Sequence, residues 1–249
     1  PEIANLRHWF SEQTINELGR MKVYIDSIDD ADIRDFLKLC MVSIIKRVSN
    51  ADDTSPKPYV SNKIKKIPPA VEKEFSSVFR RYKQMMIELQ QVTHMGHTCM
   101  LEGDALHFSV PAGIDLAITS PPYINAFDYG RTMRLENVWI SALTEEKLRA
   151  KKSQYVGTEK IRISEEKREL EILERSRLLK TCYEQIYEQD EKRALIVKRF
   201  FEDMEQNLRS VYRQMNAGGT YIIVIGNSTI RNVNVESWKV LEEIATPLG

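Results

Sequence analysis

Glycine is scarce in these 249 residues, and none of the ten glycines forms a GxG pair, so the chain encodes no glycine-rich cofactor loop. Cysteine is scarcer still. Cys40, Cys99 and Cys182 are an odd number without CxxC spacing, which argues against a disulfide framework or a thiolate zinc site and fits a reducing cytoplasm. The four histidines, His8, His94, His97 and His107, have no convincing ligand spacing, and no metal is expected. No apolar run approaches the roughly eighteen residues that span a bilayer, and no charged-then-apolar leader opens the chain. A cytoplasmic protein without a membrane partner is the expectation. A charge surplus is lacking too, since Lys plus Arg and Asp plus Glu both total 36. No global field draws in nucleic acid, so a polyanion site has to be a local patch.

What is present is helical pattern towards both ends and strand pattern in the middle. Ile15, Leu18, Met21, Ile25 and then Ile33, Phe36, Leu37, Cys40, Met41 and Ile44 recur at three- and four-residue spacing, which predicts helices over residues 1–50. Asp52, Asp53, Pro56, Pro58, Pro68 and Pro69 around Lys63, Lys65 and Lys66 predict a basic loop. Val71, Phe75, Val78, Tyr82, Met85, Met86 and Leu89 predict an amphipathic helix with Arg80, Arg81 and Lys83 on its other face. Residues 1–95 therefore read as a helical segment with a basic loop. Residues 98–101 and 114–119 are short apolar runs of the kind found in parallel sheets covered on both sides. An amphipathic helix over 196–215, closed by Asn216-Ala217-Gly218-Gly219, leads into a strand over 221–225. An α/β core is thus expected over 96–142 and 196–249. Between these, the densely charged, helix-prone stretch around 144–193 predicts a helical insertion over 143–195. The chain opens at Pro1 and stops at Gly249 without a tail, and a longer polypeptide is expected.

The densest chemistry lies in Asp115-Leu116-Ala117-Ile118-Thr119-Ser120-Pro121-Pro122-Tyr123, where a strand runs into a hydroxyl, two prolines and an aromatic ring. In open α/β sheets, ligands gather beyond the carboxyl ends of strands. An exocyclic amine of a base is a poor nucleophile, because its lone pair is delocalised into the ring. The Ser120 hydroxyl and the Pro121 carbonyl offer acceptors for its two hydrogens, drawing the nitrogen towards tetrahedral geometry. Proline restricts the backbone, and the Tyr123 ring can stack on a base turned out of its helix.

This stretch resembles motif IV of the DNA amino-methyltransferases, whose members carry Ser, Asn or Asp before Pro-Pro and an aromatic residue. The Thr-Ser-Pro-Pro-Tyr form is similar to the cytosine-N4 branch, although serine also occurs in some adenine-N6 enzymes. The resemblance implies that Ser120, Pro121, Pro122 and Tyr123 are active-site positions, that S-adenosyl-L-methionine is the cofactor, and that double-stranded DNA is the partner. It also implies a Rossmann-like α/β sheet. Glu102-Gly103-Asp104-Ala105 resembles the family turn whose acid accepts a hydrogen bond from the adenine amine of the cofactor, which implies Asp104, with Ser120, as a cofactor-binding position. Asn216 to Ile225 and Gly226-Asn227 resemble the helix-loop-strand supporting the same pocket, with Asn227 either facing the base or forming a turn.

The family's Phe-x-Gly-x-Gly loop has no counterpart in these residues. The sheet is therefore expected to be partial, with the cofactor-loop strand on a missing segment or a second polypeptide. Downstream, Asn125, Phe127, Asp128, Tyr129 and Arg131 precede Leu135-Glu136-Asn137-Val138-Trp139, a polar-aromatic stretch that either reaches the base or packs internally. Lys63, Lys65, Lys66, Arg80, Arg81, Lys147, Arg149, Lys151 and Lys152 are candidate phosphate contacts or solvated faces. The expected activity is methyl transfer to the amine of a flipped base, cytosine-N4 before adenine-N6, in a restriction-modification or defence setting. Methylation of an RNA base or a protein glutamine amide, and a non-catalytic DNA-binding subunit, are the alternatives.

Overall fold

The computed structural model describes residues 3–63, 65–92, 96–111, 113–124, 129–140 and 144–248. The expectations for His94, Asn125, Phe127 and Asp128, and for the side chains of Tyr129 and Arg149, lie outside the described residues. In chain order the elements are α1 (Leu6–Trp9), α2 (Glu12–Asp26), α3 (Ala31–Ile45), α4 (Val71–Leu89), β1 (Ile114–Thr119), α5 (Tyr129–Thr132), α6 (Arg134–Ile140) and α7 (Glu145–Lys151). They continue with α8 (Ile163–Glu166), α9 (Arg177–Tyr187), α10 (Glu191–Gln214), β2 (Met215–Ile223), β3 (Ser228–Ile230), β4 (Val233–Val235) and α11 (Ser237–Ala245). The result is a mixed α/β protein with a small parallel sheet. Among the described residues no helix is long and apolar enough to cross a membrane. Two compact units divide the chain, one from 1–98 with 128–150 and the other from 99–127 with 151–249.

The first unit is helical. Ser11 and Asp30 cap α2 and α3 by accepting from Thr14 N–H at 3.1 Å and Ile33 N–H at 3.0 Å, satisfying backbone donors that a helix start leaves open. The apolar stripes then close on one core containing Leu18, Ile25, Met41, Ile44, Val78, Leu135 and Trp139. Trp139 meets Phe10 edge-on at 5.7 Å, so its role here is packing. Lys66, a candidate phosphate contact, is instead a clamp on the loop after α3. Its ammonium donates to the carbonyls of Lys46 at 3.2 Å and Ala51 at 3.0 Å and to the Asp53 carboxylate at 2.7 Å. Loop carbonyls with no helical partner claimed it.

In the second unit α9, α10 and α11 surround a core that includes Leu179, Ile186, Leu195, Phe200, Phe201, Leu208 and Leu241. The charged stretch expected to form an insertion over 143–195 supplies Ile172, Leu173, Leu179, Tyr183 and Ile186 to this core. Asp190 caps α10 through Arg193 N–H at 3.0 Å and also accepts from the Arg231 guanidinium at 2.6 and 2.9 Å. That ion pair ties α10 to the β3–β4 hairpin, whose turn residues Arg231 and Asn232 have φ of 50° and 62°.

β1 and β2 run parallel, with Leu116 opposite Thr220, Ala117 opposite Tyr221, Ile118 opposite Ile222 and Thr119 opposite Ile223. The register slips between Ile114 and Leu116, where residues 216–219 of β2 loop outwards. Gly218 has φ 81°, and a Cβ on Gly219 would stand 3.0 Å from the carbonyls of Asn216 and Ile114. A side chain would be strained by the backbone at Gly218 and crowded against carbonyls at Gly219. The pair that was expected to close α10 therefore lies inside β2.

Two sequence expectations need correction. Residues 98–101 form no strand, because no neighbouring strand pairs with them and an apolar run holds extended pairing only against a partner. β1 forms where predicted but is covered on one face only, since Leu116 and Ile118 are exposed. Helices lie on its inner side alone among the described residues.

Candidate active site at the end of the parallel sheet

Ser120 follows β1 directly, where a parallel sheet presents its carboxyl edge. The pairing continues one step past β2, as Val224 N–H donates to the Thr119 carbonyl at 2.9 Å. The Val224 carbonyl is thereby aimed back at the next residue of the first strand. It accepts the Ser120 hydroxyl hydrogen at 3.1 Å. A hydroxyl has one hydrogen and two lone pairs. With the hydrogen committed to Val224, the exposed Ser120 oxygen has acceptor capacity left.

Pro121 and Pro122 are half-buried, and the Tyr123 ring is exposed. The next residue, Ile124, is fully buried in the core of this unit. The tetrapeptide is thus held between a paired strand and a buried anchor, which fixes a short segment at both ends. Gly226 lies against the edge of the Tyr123 ring. A Cβ there would sit 3.4 Å from Cε1 and 3.7 Å from Cζ, so a side chain longer than a methyl would displace the ring. The four residues named from the sequence therefore share one short segment next to the exit of β2.

Asp104 occupies a tight turn in the same unit. Its carboxylate accepts from Leu106 N–H at 2.9 Å and its carbonyl from His107 N–H at 3.0 Å. α10 holds this turn from below: Asn207 donates to the Ala105 carbonyl at 2.7 Å, Ser210 donates to the Leu106 carbonyl, and Gln206 meets the His107 ring. Asn207 also accepts from the Tyr221 hydroxyl at 2.7 Å, so one α10 residue links the Asp104 turn to β2. Asn227 is exposed just before β3. Among the described residues no cluster of His, Cys, Asp and Glu could hold a metal ion.

α10 also carries a largely buried charge network, in the turns before Gln206. The Lys198 side chain, 1% exposed, donates to the Glu166 carboxylate and carbonyl at 2.9 Å and pairs with Glu202 at 3.1 Å. Arg199 pairs with Asp203 at 2.9 Å. Burial pushes the Glu202 carboxyl up to about 7, against the pull of Lys198. Burial likewise raises Asp203 to about 6, with Arg199 opposing and Glu166 and Asp104 adding repulsion.

Sequence reading missed Ile124, and it placed Val224 and Gly226 in the strand and loop that support the pocket without their contacts to Ser120 and Tyr123. Ile124 is apolar beside a proline pair, a weak signal of anchoring. Those contacts become visible only once the strand register is known.

This chain is similar to the Type II methyltransferase M.MvaI of Kocuria varians, with 24% identity over 261 aligned positions that cover 98% of this chain. It spans 57% of the length of that relative. No family model matches the chain, and no solved structure matches it.

Proposed function

We propose that this chain is the target-base half of a DNA amino-methyltransferase, which transfers the methyl group of S-adenosyl-L-methionine to the exocyclic amine of a flipped base, cytosine-N4 before adenine-N6. The observation that carries the reading is the Ser120–Val224 hydrogen bond, which leaves Ser120 an acceptor at the carboxyl edge of a parallel sheet. An amino group brings donors to such a site. A carbonyl or carboxylate substrate would bring only acceptors and would find no match in the serine oxygen. Similarity to a Type II methyltransferase supports the transfer chemistry and a restriction-modification setting.

In this mechanism Ser120 accepts one amine hydrogen and the Pro121 carbonyl takes the other. The nitrogen lone pair is drawn out of conjugation and towards the methyl donor. Tyr123 offers its exposed ring as the stacking surface for the flipped base. Asp104 is the residue that would hold the cofactor's adenine amine. It fits that task as an exposed acid whose turn is fixed by its own hydrogen bonds and by α10. When bound, the cofactor supplies an electrophilic methyl group. A glycine-rich loop for the rest of the cofactor comes from polypeptide outside these residues.

Nucleoside mass spectrometry tests the proposal on genomic DNA from a methylation-free host expressing the gene that encodes this chain. N4-methylcytosine or N6-methyladenine, absent from a Ser120→Ala control, is the expected result. Unmodified DNA moves the reading to an RNA base or a protein glutamine amide. A biological phenotype that survives Ser120→Ala moves it to a non-catalytic DNA-binding subunit.

A further inference from the structure

One stripe of α10 holds an extended segment by its backbone. Asn207 donates to the Ala105 carbonyl at 2.7 Å, Ser210 donates to the Leu106 carbonyl, and Gln214 accepts from Val110 N–H at 3.3 Å. Positions 207, 210 and 214 follow at helical spacing, so their side chains rise from one face. Side chains of a helix thus meet backbone groups that a neighbouring strand would otherwise meet.

Asn207 has a second partner, in the sheet. Its Oδ1 accepts the Tyr221 hydroxyl at 2.7 Å, and Tyr221 lies on the inner face of β2, opposite Ala117. The two bonds fix the amide. A backbone carbonyl only accepts, so Ala105 selects the NH2 end and the oxygen is left for the phenol. Burial pushes the Tyr221 hydroxyl up to about 12, which keeps its hydrogen in place at neutral pH. Three residues beyond Tyr221, roughly 10 Å along an extended strand, the Val224 carbonyl takes the Ser120 hydrogen. One amide therefore stands between the turn that carries Asp104 and the strand that orients Ser120.

We propose that Asn207 is a positioning residue that sets the Asp104 turn against the end of β2, so that the cofactor acid and Ser120 keep one spacing. The roles of Asp104 and Ser120 rest on the methyltransferase reading, whereas the mechanical link does not. Methyl donor and target nitrogen have to meet in line, and a small displacement of one against the other slows transfer steeply. Ser210 ties the turn to α10, but Tyr221 reaches it through the Asn207 amide.

Hydrogen exchange and kinetics of the protein as its gene encodes it test the link. Asn207→Asp keeps the acceptor for Tyr221 but sets a carboxylate oxygen against the Ala105 carbonyl, and Tyr221→Phe removes only the strand's hold on the amide. Exchange in the peptide covering 104–110 is read without cofactor, since Leu106 N–H and His107 N–H make the hydrogen bonds of the turn itself. It should quicken about tenfold with Asn207→Asp and about threefold with Tyr221→Phe. In methyl transfer, Asn207→Asp should raise the cofactor KM about tenfold, whereas Tyr221→Phe should lower kcat about tenfold with both KM values kept within about threefold. Urea unfolding checks the fold, and Asn207→Ala takes the place of Asn207→Asp should that variant not fold. Exchange unaltered by Tyr221→Phe overturns the link. Quickened exchange in both variants without the split between kcat and KM overturns the positioning role. Quickened exchange with unmodified DNA from the parent removes the methyltransferase reading and leaves the link.

Discussion

Replacing Ser120 separates its role as an acceptor from mere occupancy of the site. Ser120→Ala removes the acceptor and should lower methyl transfer about 100- to 1,000-fold, the equivalent of roughly 3–4 kcal/mol, as loss of one preorganised hydrogen-bonding group does elsewhere. Ser120→Asn discriminates further. Its amide can donate to the Val224 carbonyl that now takes the serine hydrogen at 3.1 Å, leaving its own carbonyl oxygen for the substrate amine. Activity within about tenfold of the parent is expected. Ser120→Asp is nearly the same size but has no hydrogen at neutral pH. One carboxylate oxygen would face the Val224 carbonyl across about 3 Å with lone pairs opposed, so the side chain turns away and activity falls as far as with alanine. Methylated nucleosides counted by mass spectrometry, alongside DNA binding to confirm folding, give the readout. Equal activity of Ser120→Asp and Ser120→Asn would refute the role of Val224.

Two further predictions concern the network on α10. Lys198→Met leaves the half-buried Glu202 carboxylate without its cation and Glu166 with Arg199 alone, and should cost about 3 kcal/mol in urea unfolding, with most of it recovered when Glu166→Leu and Glu202→Gln are added. A loss under about 1 kcal/mol would show that the network is solvated. The second is a pH dependence. Glu202 and Asp203 are raised in the fold, so their contribution is full below the ordinary carboxylate range and is lost as pH climbs through about 6 and about 7. Asp190 is held low by Arg231 and Glu159 by Arg193, so their contribution disappears on acidification. Thermal stability should therefore peak near pH 4–5, at the ordinary carboxylate range, and drop by about 5 °C at pH 8. A midpoint that keeps rising to pH 8 contradicts the burial of Glu202.

The helices were legible because their apolar spacing is local. Val71, Phe75, Val78 and Tyr82 determine the inner face of α4 whatever else surrounds it. β1 was legible for the same reason, as was the tetrapeptide that follows it. What could not be read is whatever depends on a partner distant in sequence. Residues 98–101 have strand composition, yet a strand is a relation between two segments. Val224 looked like one more apolar residue, although its carbonyl is the group that orients Ser120. The charge of the 143–195 stretch hid apolar faces that join the core, since composition averages over the sides of a helix.

The register of β1 with β2 has a consequence in time. A ribosome finishes β1 and then adds roughly a hundred residues before β2 emerges, an interval of about 5–20 s at ordinary synthesis rates. Throughout it the strand that ends in Ser120 has neither its neighbour nor the α10 core beneath it. The nascent candidate site is thus most vulnerable to wrong pairing while the rest of its own unit is still being made.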